Sequence, residues 1–233
     1  MIQPLILCIE TSTTICSVAL SKGNELINCI DDSSGDHVKV LPGLIYKVFE
    51  SSDHDLFHLK ALAVSIGPGS YTALRAGLAL AKGLSMSLDI PIIAIPTLTG
   101  LAQGASQGNS NAKYIISCLD ARRSNIYSQV FDVSLSAQTN PEFINLDEPM
   151  EAWLDYLKHP VCFVGNGAIK CKSMNTNELN EFKEIECSAR YLIHLANEAY
   201  TKQNFAAMDS LVPEYMREPN ITQAKQKLPN SLN

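Results

Sequence analysis

The most informative stretch of the sequence is Gly67-Pro68-Gly69-Ser70-Tyr71-Thr72-Ala73-Leu74-Arg75-Ala76-Gly77. The apolar run 61–66 before it predicts a strand, and the residues after it predict a helix that continues to about Leu88. Two glycines around a proline predict a rigid turn between these elements, and Ser70 is a natural N-cap for the helix. A strand, a tight turn and a helix in this order indicate an α/β domain.

Small residues recur at every fourth position of this helix, at Ala73, Gly77 and Ala81. This spacing places them on one helix face. A glycine inside a helix costs about 1 kcal/mol relative to alanine. We therefore expect a second helix or a partner protein to approach this face closely.

The rest of the chain predicts two halves with matching element order. In the first half we predict strands at 5–9, 16–20, 26–30, 61–66 and 92–95, with helices at 37–50 and 71–88. In the second half we predict strands at 114–119, 126–133, 143–146 and 161–164, with helices at 148–157 and 188–203. In each half the first strand ends in an acid at a hairpin, Glu10 or Asp120. The matching order indicates an ancient duplication.

The segment 104–111 is rich in glycine, serine and asparagine and is the best candidate linker. We therefore predict an N-terminal lobe over residues 1–104, a C-terminal lobe over 105–218 and a polar tail over 219–233.

Composition excludes several classes of protein. The chain has 233 residues, is 46% hydrophobic and 18% charged, and carries a net charge of −6. These values are typical of a globular domain with a large core. An acidic chain of this kind lacks the positive charge with which an isolated protein binds nucleic acid. The seven cysteines include no Cys-x-x-Cys pair, and the histidines predict no metal site, since even His54 and His58 have no suitable carboxylate. With no apolar run long enough to span a membrane, we expect a cytoplasmic protein.

Four motifs are candidate binding sites. The hairpin 10–14 offers hydroxyls to a phosphate, although a threonine-rich turn is the favoured interpretation. The turn 67–69 could cradle an anion at a helix start, but a structural role is favoured. The arginines in 120–123 occupy the space that a phosphate loop needs, although they could pair with an acidic partner or RNA phosphate. The segment 165–168 is compatible with an adenosine contact and equally with a tight strand-to-helix turn. From residue spacing alone we predict no set of catalytic residues.

The helix predicted at 37–50 is apolar around half its circumference or more. One stripe comprises Val38, Leu41, Ile45 and Val48, and Val40, Leu44 and Phe49 widen it. One apolar arc is enough to pack a helix on a sheet, so a second would leave an exposed apolar patch. We predict that this helix and the helix at 71–88 form a docking surface, the alternative being that both face their own sheet.

Together these landmarks resemble the bacterial TsaB family, formerly called YeaZ. The family motif residues are Glu10, Thr11, Ser12, Gly67, Pro68, Gly69, Arg75, Asp120, Arg122, Gly165 and Gly167. Further matching segments are 16–20, His37 with Leu41-Pro42, Tyr127 and 213–217. The resemblance implies a tandem actin-like (ribonuclease H-like) ATPase fold with two lobes of mixed sheets flanked by helices.

The TsaB family is a paralogue of the TsaD threonylcarbamoyltransferases, once classed as glycoproteases. Catalytic TsaD-type relatives carry His-x-x-x-His for a metal at the start of the helix after the fifth strand. Here the corresponding stretch is Thr97-Leu98-Thr99-Gly100-Leu101, which places no metal ligand at either position. The resemblance therefore implies a chain without metal and without catalytic residues.

The implied function is that of a non-catalytic, activating subunit in the complex that forms N6-threonylcarbamoyladenosine at position 37 of tRNA. The implied partners are a TsaD-like catalytic subunit, a TsaE-like ATPase and, indirectly, tRNA, with a homodimer through the same helices when the partner is absent. We expect no cofactor on this chain alone, and ATP or ADP only at the interface of the assembled complex. The predicted interface residues are Val38, Leu41, Leu44, Ile45, Val48, Ala73, Gly77 and Ala81. On this assignment, Gly77→Leu should abolish pairing and leave the monomer folded.

Two alternatives belong to other classes. A stand-alone ATP-dependent phosphotransferase or ATPase of the same fold would have Glu10 and Asp120 as its only plausible magnesium ligands. A glycoprotease-like metallopeptidase is the weaker alternative, because the metal-binding histidines are missing.

Overall fold

A computed structural model of the chain describes residues 3–106, 110–148, 153–174 and 177–217. The strands are β1 Leu5–Glu10, β2 Cys16–Lys22, β3 Glu25–Asp32, β4 Ala61–Ser65, β5 Ile92–Ile95, β6 Tyr114–Asp120, β7 Asn125–Asp132, β8 Glu142–Asn145, β9 Val161–Val164 and β10 Glu181–Lys183. The helices are α1 His37–Glu50, α2 Tyr71–Leu88, α3 Thr97–Ser106 and α4 Ile193–Thr201. Short 3₁₀ turns occupy Leu56–His58, Tyr156–Lys158, Ala168–Met174 and Ala189–Leu192.

The first half forms a mixed sheet with strand order β3-β2-β1-β4-β5. β1 is antiparallel to β2, with Leu5 opposite Lys22, and parallel to β4, with Ile6 opposite Ala61. β1 and β4 are buried along their whole length because both faces of the sheet are covered. Buried central strands of this kind read as continuous apolar runs, which is the pattern that identified them.

The second half builds a sheet of identical plan, β8-β7-β6-β9-β10. β6 is antiparallel to β7 and parallel to β9, and β9 is parallel to β10. Each strand of the first sheet therefore has a counterpart at the same place in the second. The matching element order expected from sequence is confirmed at the level of topology.

The two sheets exchange helices. α3 follows the first sheet in sequence but packs against β6, β7 and β9 of the second. In return, the 3₁₀ turn at Ala189–Leu192 and α4 cover one face of the first sheet, where Leu192, Ile193 and Ala196 are buried against β1 and β5. The other face of the first sheet is covered by α1 and α2. The predicted lobe boundary at residue 104 stays a prediction, and it separates the sheets but not the helices that cover them.

Some predicted elements differ from the structure. The helix predicted at 148–157 is not formed in the described residues 153–158, which make turns and a 3₁₀ segment. Trp153 is buried there against Phe163, with ring centroids 5.6 Å apart, so burial of this ring sets the local backbone. The helix predicted at 188–203 begins as a 3₁₀ turn, and β10 was not predicted. The predicted polar tail at 219–233 lies outside the described residues.

The last described segment returns to the first sheet. The Ala206 N–H donates to Ile92 O at 2.8 Å, Leu211 enters the core, and the Glu214 N–H donates to Ile66 O at 2.7 Å. Residues 206–217 thereby reach the Gly-Pro-Gly turn from the side opposite β1. Across the described ranges, no helix has the length and apolar character needed to cross a membrane.

Candidate functional site

Glu10 ends the central strand β1 and is 1% exposed. Its Oε1 accepts the Ser12 N–H at 2.6 Å and the Ser65 hydroxyl at 2.9 Å. The Ser65 hydroxyl oxygen in turn accepts the Thr11 N–H at 3.3 Å. Burial raises the pKa of the Glu10 carboxyl, and the bonds from Ser12 and Ser65 only partly oppose that rise. The carboxyl is therefore used to tie β1 to β4 and to fix the hairpin.

The Gly-Pro-Gly turn packs against this hairpin through its backbone. The Ser70 N–H donates to Ser12 O at 2.7 Å, and a Cβ on Gly69 would lie 2.4 Å from that same oxygen. Gly67 has a φ of +123°, and a Cβ there would lie 2.4 Å from Glu214 O. Ser70 is the N-cap residue of α2 as expected, although its side chain makes no capping hydrogen bond. The contacts favour the structural interpretation of this turn, because its two glycines contact neighbouring backbone.

Gly77 lets α2 pack closely against the same hairpin after β1. A Cβ on Gly77 would lie 2.3 Å from Thr11 Oγ1, so the small-residue face of α2 receives the hairpin of its own chain. The sequence predicts close approach of a second helix or a partner protein at this face, but the atoms nearest to Gly77 are those of Thr11. The element that approaches closely is the segment that follows β1.

Several polar atoms near this end of the first sheet are buried without a described hydrogen-bond partner. They are Thr11 Oγ1, Ser12 Oγ, His37 Nε2 and Thr97 Oγ1. Buried polar groups of this kind are normally satisfied by internal water. The hydroxyls of the hairpin are therefore directed into the protein, which favours the structural interpretation of the threonine-rich turn.

Asp120 is the counterpart of Glu10 in the second sheet. Its Oδ1 accepts the Arg122 N–H at 2.6 Å and the Lys170 ammonium at 2.6 Å. Lys170 also donates to Arg123 O at 2.7 Å. A lysine from the 3₁₀ turn thus fills the hairpin loop from within, so Asp120 is engaged with its own chain.

The segment 165–168 is a tight turn against β6. The Gly167 N–H donates to Cys118 O at 2.9 Å, and a Cβ on Gly165, whose φ is +112°, would lie 2.4 Å from the same oxygen. Asn166 Oδ1 accepts the Asp120 N–H at 2.9 Å. Both glycines are explained by close approach to Cys118, which favours the turn interpretation.

Within the part of the chain that the structure describes, no group of three or more histidine, cysteine, aspartate and glutamate side chains is placed to hold a metal ion. Thr97 and Leu101, the positions of the missing histidines, are both buried. His58 has a structural role, since its Nδ1 accepts the Asp55 N–H at 3.3 Å in a capping box. The cysteines are free, and burial raises the pKa of the Cys16 thiol to about 12 and that of Cys162 to about 11.

The predicted interface residues need correction. Seven of the eight are buried in the chain's own fold: Leu41, Leu44, Ile45, Val48, Ala73, Gly77 and Ala81. Their stripe is the one that packs on the sheet, because the larger apolar face is the more strongly driven to burial. Only Val38 is exposed, at 67%.

The exposed faces of α1 and α2 carry a different apolar set. α1 exposes Val38, Pro42 and Tyr46 at four-residue spacing, and α2 exposes Ala79, Gly83 and Met86. Tyr46 is 66% exposed and Met86 is 73% exposed. Because α1 packs beside α2, we treat these six residues as one surface and call it the α1–α2 face.

Three supporting residues were missed. Ser65 and Lys170 hold the two acids, but neither belongs to a pattern that predicts such a contact. Tyr215 stacks on Tyr71 with ring centroids 4.5 Å apart, and its hydroxyl accepts the Arg75 Nε–H at 2.9 Å. Only the resemblance of 213–217 to the family motif gave a signal for Tyr215.

A family model described as "TsaD: tRNA N6-adenosine threonylcarbamoyltransferase" matches residues 31–224. The chain is 31% identical over 221 residues to a tRNA threonylcarbamoyladenosine biosynthesis protein TsaB of Bacillus subtilis, covering 91% of this chain and 93% of that one. It is 28% identical over 221 residues to the protein of that name from Haemophilus influenzae, with the same coverage.

Among solved structures, YeaZ from Pseudomonas aeruginosa superposes with a TM-score of 0.77 at 21% identity, covering 91% of this chain and all of that one. A second structure from Pseudomonas aeruginosa, described as similar to peptidase YEAZ, gives a TM-score of 0.81 at 22% identity over 92% of this chain and all of that one. The α/β fold expected from sequence, with two mixed sheets flanked by helices, is confirmed.

Proposed function

Because this chain belongs to the TsaB (YeaZ) family, we propose that it is the non-catalytic, activating subunit of a tRNA N6-threonylcarbamoyladenosine transferase complex. Its place in tRNA threonylcarbamoyladenosine biosynthesis follows from the relatives of that name, which match it over nearly their whole length. The proposal adds that a TsaD-like subunit performs the transfer and that this chain pairs with it.

One observation carries the non-catalytic part of the proposal. Glu10 and Asp120, the acids that end the two equivalent central strands, are both engaged by groups of their own chain. A carboxylate that holds a magnesium ion needs free lone pairs and access for water. Glu10 is sealed in the core, and Asp120 is neutralised by Lys170 at 2.6 Å.

The α1–α2 face is the surface that we assign to the TsaD-like subunit. Exposed apolar residues at spacings of three or four residues form one ridge on each helix, and adjacent ridges of this kind are suited to packing against two further helices. Burial of side chains such as Tyr46 and Met86 would supply about 1.5–3 kcal/mol each. The partner shares the architecture of this chain, since the matching family model is that of TsaD, so its own first two helices are the complementary element.

Gly83 supports this assignment. It lies inside α2 and is exposed, and a Cβ placed on it would find no described atom within 4 Å. Unlike Gly77, it has no packing role within the chain that offsets its cost of about 1 kcal/mol in a helix. A partner helix that approaches closely at Gly83 supplies that role.

Reconstitution tests the proposal. The chain is combined with its TsaD-like and TsaE-like partners, tRNA, ATP and threonylcarbamoyl-adenylate as the donor, and threonylcarbamoyladenosine formed in tRNA is measured with and without the chain. We expect modification only in the full mixture. Turnover by the chain alone, or full modification in its absence, would contradict the activating role.

Two matched variants test the surface. Tyr46→Glu places a charge on the α1–α2 face and should lower the affinity for the TsaD-like subunit at least tenfold, while thermal unfolding is unchanged. Leu154→Glu is the control, because Leu154 is a similarly exposed apolar residue in the second half of the chain. Equal pairing by both variants would show that the surface is misassigned. In the homodimer that we propose for the free chain, Tyr46→Glu should likewise weaken association more than Leu154→Glu does.

We further propose that nucleotide binds only in the assembled complex. Calorimetric titration of ATP and Mg²⁺ into the isolated chain should give no heat of binding, whereas the complex should bind. Tight binding and hydrolysis by the isolated chain would favour the stand-alone ATPase instead.

A further inference from the structure

We propose that the tip of the β6–β7 hairpin, residues 121–124, binds phosphate groups of the tRNA backbone through Arg122 and Arg123. This inference rests on the proposed function and deepens it, because it gives the accessory subunit a direct contact with the RNA substrate. An acidic chain with a net charge of −6 would then contact RNA through a small basic surface of fixed shape.

Both arginines have an unusual backbone conformation. Arg122 has a φ of +70° and Arg123 a φ of +52°, in the left-handed region that favours glycine. Two consecutive residues with a Cβ in this region cost free energy that glycine would avoid. Strain of this kind is characteristic of functional sites, where side-chain chemistry is needed at a position suited to glycine.

The loop is held rigidly in this conformation. The Ala121 N–H donates to Asn125 O at 3.0 Å, and the Asn125 N–H donates to Arg122 O at 3.1 Å. Lys170 clamps the loop from below through Arg123 O and the Asp120 carboxylate. A binding loop that is already ordered loses little entropy when it meets its ligand.

The two guanidinium groups remain available. Arg122 and Arg123 are exposed, and among the described residues neither forms an ion pair. The carboxylate nearest in sequence, Asp120, is already neutralised by Lys170. A guanidinium presents five N–H donors in a planar fork that matches phosphate oxygens. The tip therefore presents two positive charges without a described ion-pair partner on one ordered turn.

An aromatic surface with a third arginine adjoins the tip. Arg217 stacks over the Phe143 ring at 4.4 Å, and Phe143 contacts Tyr127 edge to face with centroids 5.6 Å apart. Phe143 precedes Leu146 by three residues, and the Leu146 N–H donates to Ser124 O at 2.8 Å. At about 3.3 Å per residue, Phe143 lies roughly 10 Å along the chain from the residue that contacts Ser124. Arginines beside aromatic rings favour nucleic acid over an acidic protein as the ligand.

The test measures binding of tRNA to the reconstituted complex as a function of salt. The variant Arg122→Gly/Arg123→Gly removes both charges and also suits the backbone, so the hairpin should stay folded. The control Lys22→Ala/Lys60→Ala removes two exposed cations. Both lie beside the start of β1, at the end of the first sheet opposite to Glu10. Arg122→Lys/Arg123→Lys retains the charge without the planar fork.

Two phosphate contacts predict a loss of about 30-fold in affinity at 0.15 M salt, and a slope of log K against log salt that is shallower by about two. The lysine variant should recover most of this loss, and the control should retain normal affinity. Assembly of the complex, measured without RNA, should be unchanged for all three variants.

Two outcomes would overturn the inference. If the glycine variant binds tRNA with normal affinity and salt slope, the tip does not contact RNA, and the proposed activating role stands unaffected. If the glycine variant fails to assemble with the TsaD-like subunit while it remains folded, the arginines bind an acidic protein surface instead. Failure of the wild-type chain to activate modification would contradict the proposed function, and that measurement is independent of the arginines.

Discussion

β1 and β6 occupy equivalent places in two sheets of the same strand order, yet their carboxyl-terminal ends are closed in different ways. After β1, the hairpin is covered by backbone, because Gly69 and Gly77 let the turn and α2 approach without a side chain between them. After β6, the hairpin is filled by the side chain of Lys170, which binds Asp120 and the loop carbonyls. One fold thus supports two closures, and the first tolerates far less change than the second.

The largest effect is expected at the backbone closure. Gly77→Leu would force a side chain into Thr11 and should destabilise the monomer by about 3 kcal/mol or more. Gly83→Leu, six residues along the same helix, points into open space and should stabilise the monomer by about 0.5–1 kcal/mol. Urea unfolding of both variants measures the contrast. Equal stabilities would remove the distinction between the two glycines.

A smaller effect is expected at the ionic closure. Lys170→Met keeps the aliphatic stem but loses the bonds to Asp120 and Arg123 O, which should cost about 1–2 kcal/mol because the site is partly exposed. Amide hydrogen exchange at 121–125 should accelerate, while exchange in the first sheet should not. If unfolding free energy and exchange are both unchanged, the lysine does not hold the loop.

A third expected effect depends on pH and concerns the acid at the end of β1. The folded pKa of Glu10 is raised by burial, so the folded chain keeps the proton at pH values where the unfolded chain has already lost it. Stability should therefore fall as the pH rises above the ordinary range of a glutamate carboxyl, near 4.5. Glu10→Gln keeps the acceptor for Ser12 and Ser65 and should lose this dependence, so it should gain stability relative to wild type between pH 5 and 8. If the free energy of unfolding depends on pH in the same way for Glu10→Gln and wild type, the raised pKa of Glu10 is contradicted.

The sequence predicted both long helices of the first half correctly, because α1 and α2 have a strong 3.6-residue periodicity and distinct boundaries. It also identified nine of the ten described strands, their duplicated order and the acids at the strand ends, but not β10. The orientation of the helices was wrong for a physical reason. A helix with two apolar faces has two self-consistent orientations, and only the packed structure shows that Leu41 and Val48 face inward while Val38 and Tyr46 face outward.

The contacts that complete the site arise from residues far apart in the chain. Ser65 meets Glu10 across 55 residues and Lys170 meets Asp120 across 50, so no local pattern could predict either pair. The helix predicted around Trp153 was wrong for a related reason, because burial of one large ring against Phe163 outweighed helix propensity.

The exchange of helices between the sheets has a consequence for synthesis on the ribosome. One face of the first sheet is covered by Leu192, Ile193 and Ala196, which emerge about a hundred residues after β5. The nascent first sheet must therefore wait, with that face uncovered, until most of the polypeptide has been translated. A chain truncated before residue 189 is accordingly a natural substrate for chaperones, and neither half should be separable as a stable protein by cutting the gene at its midpoint.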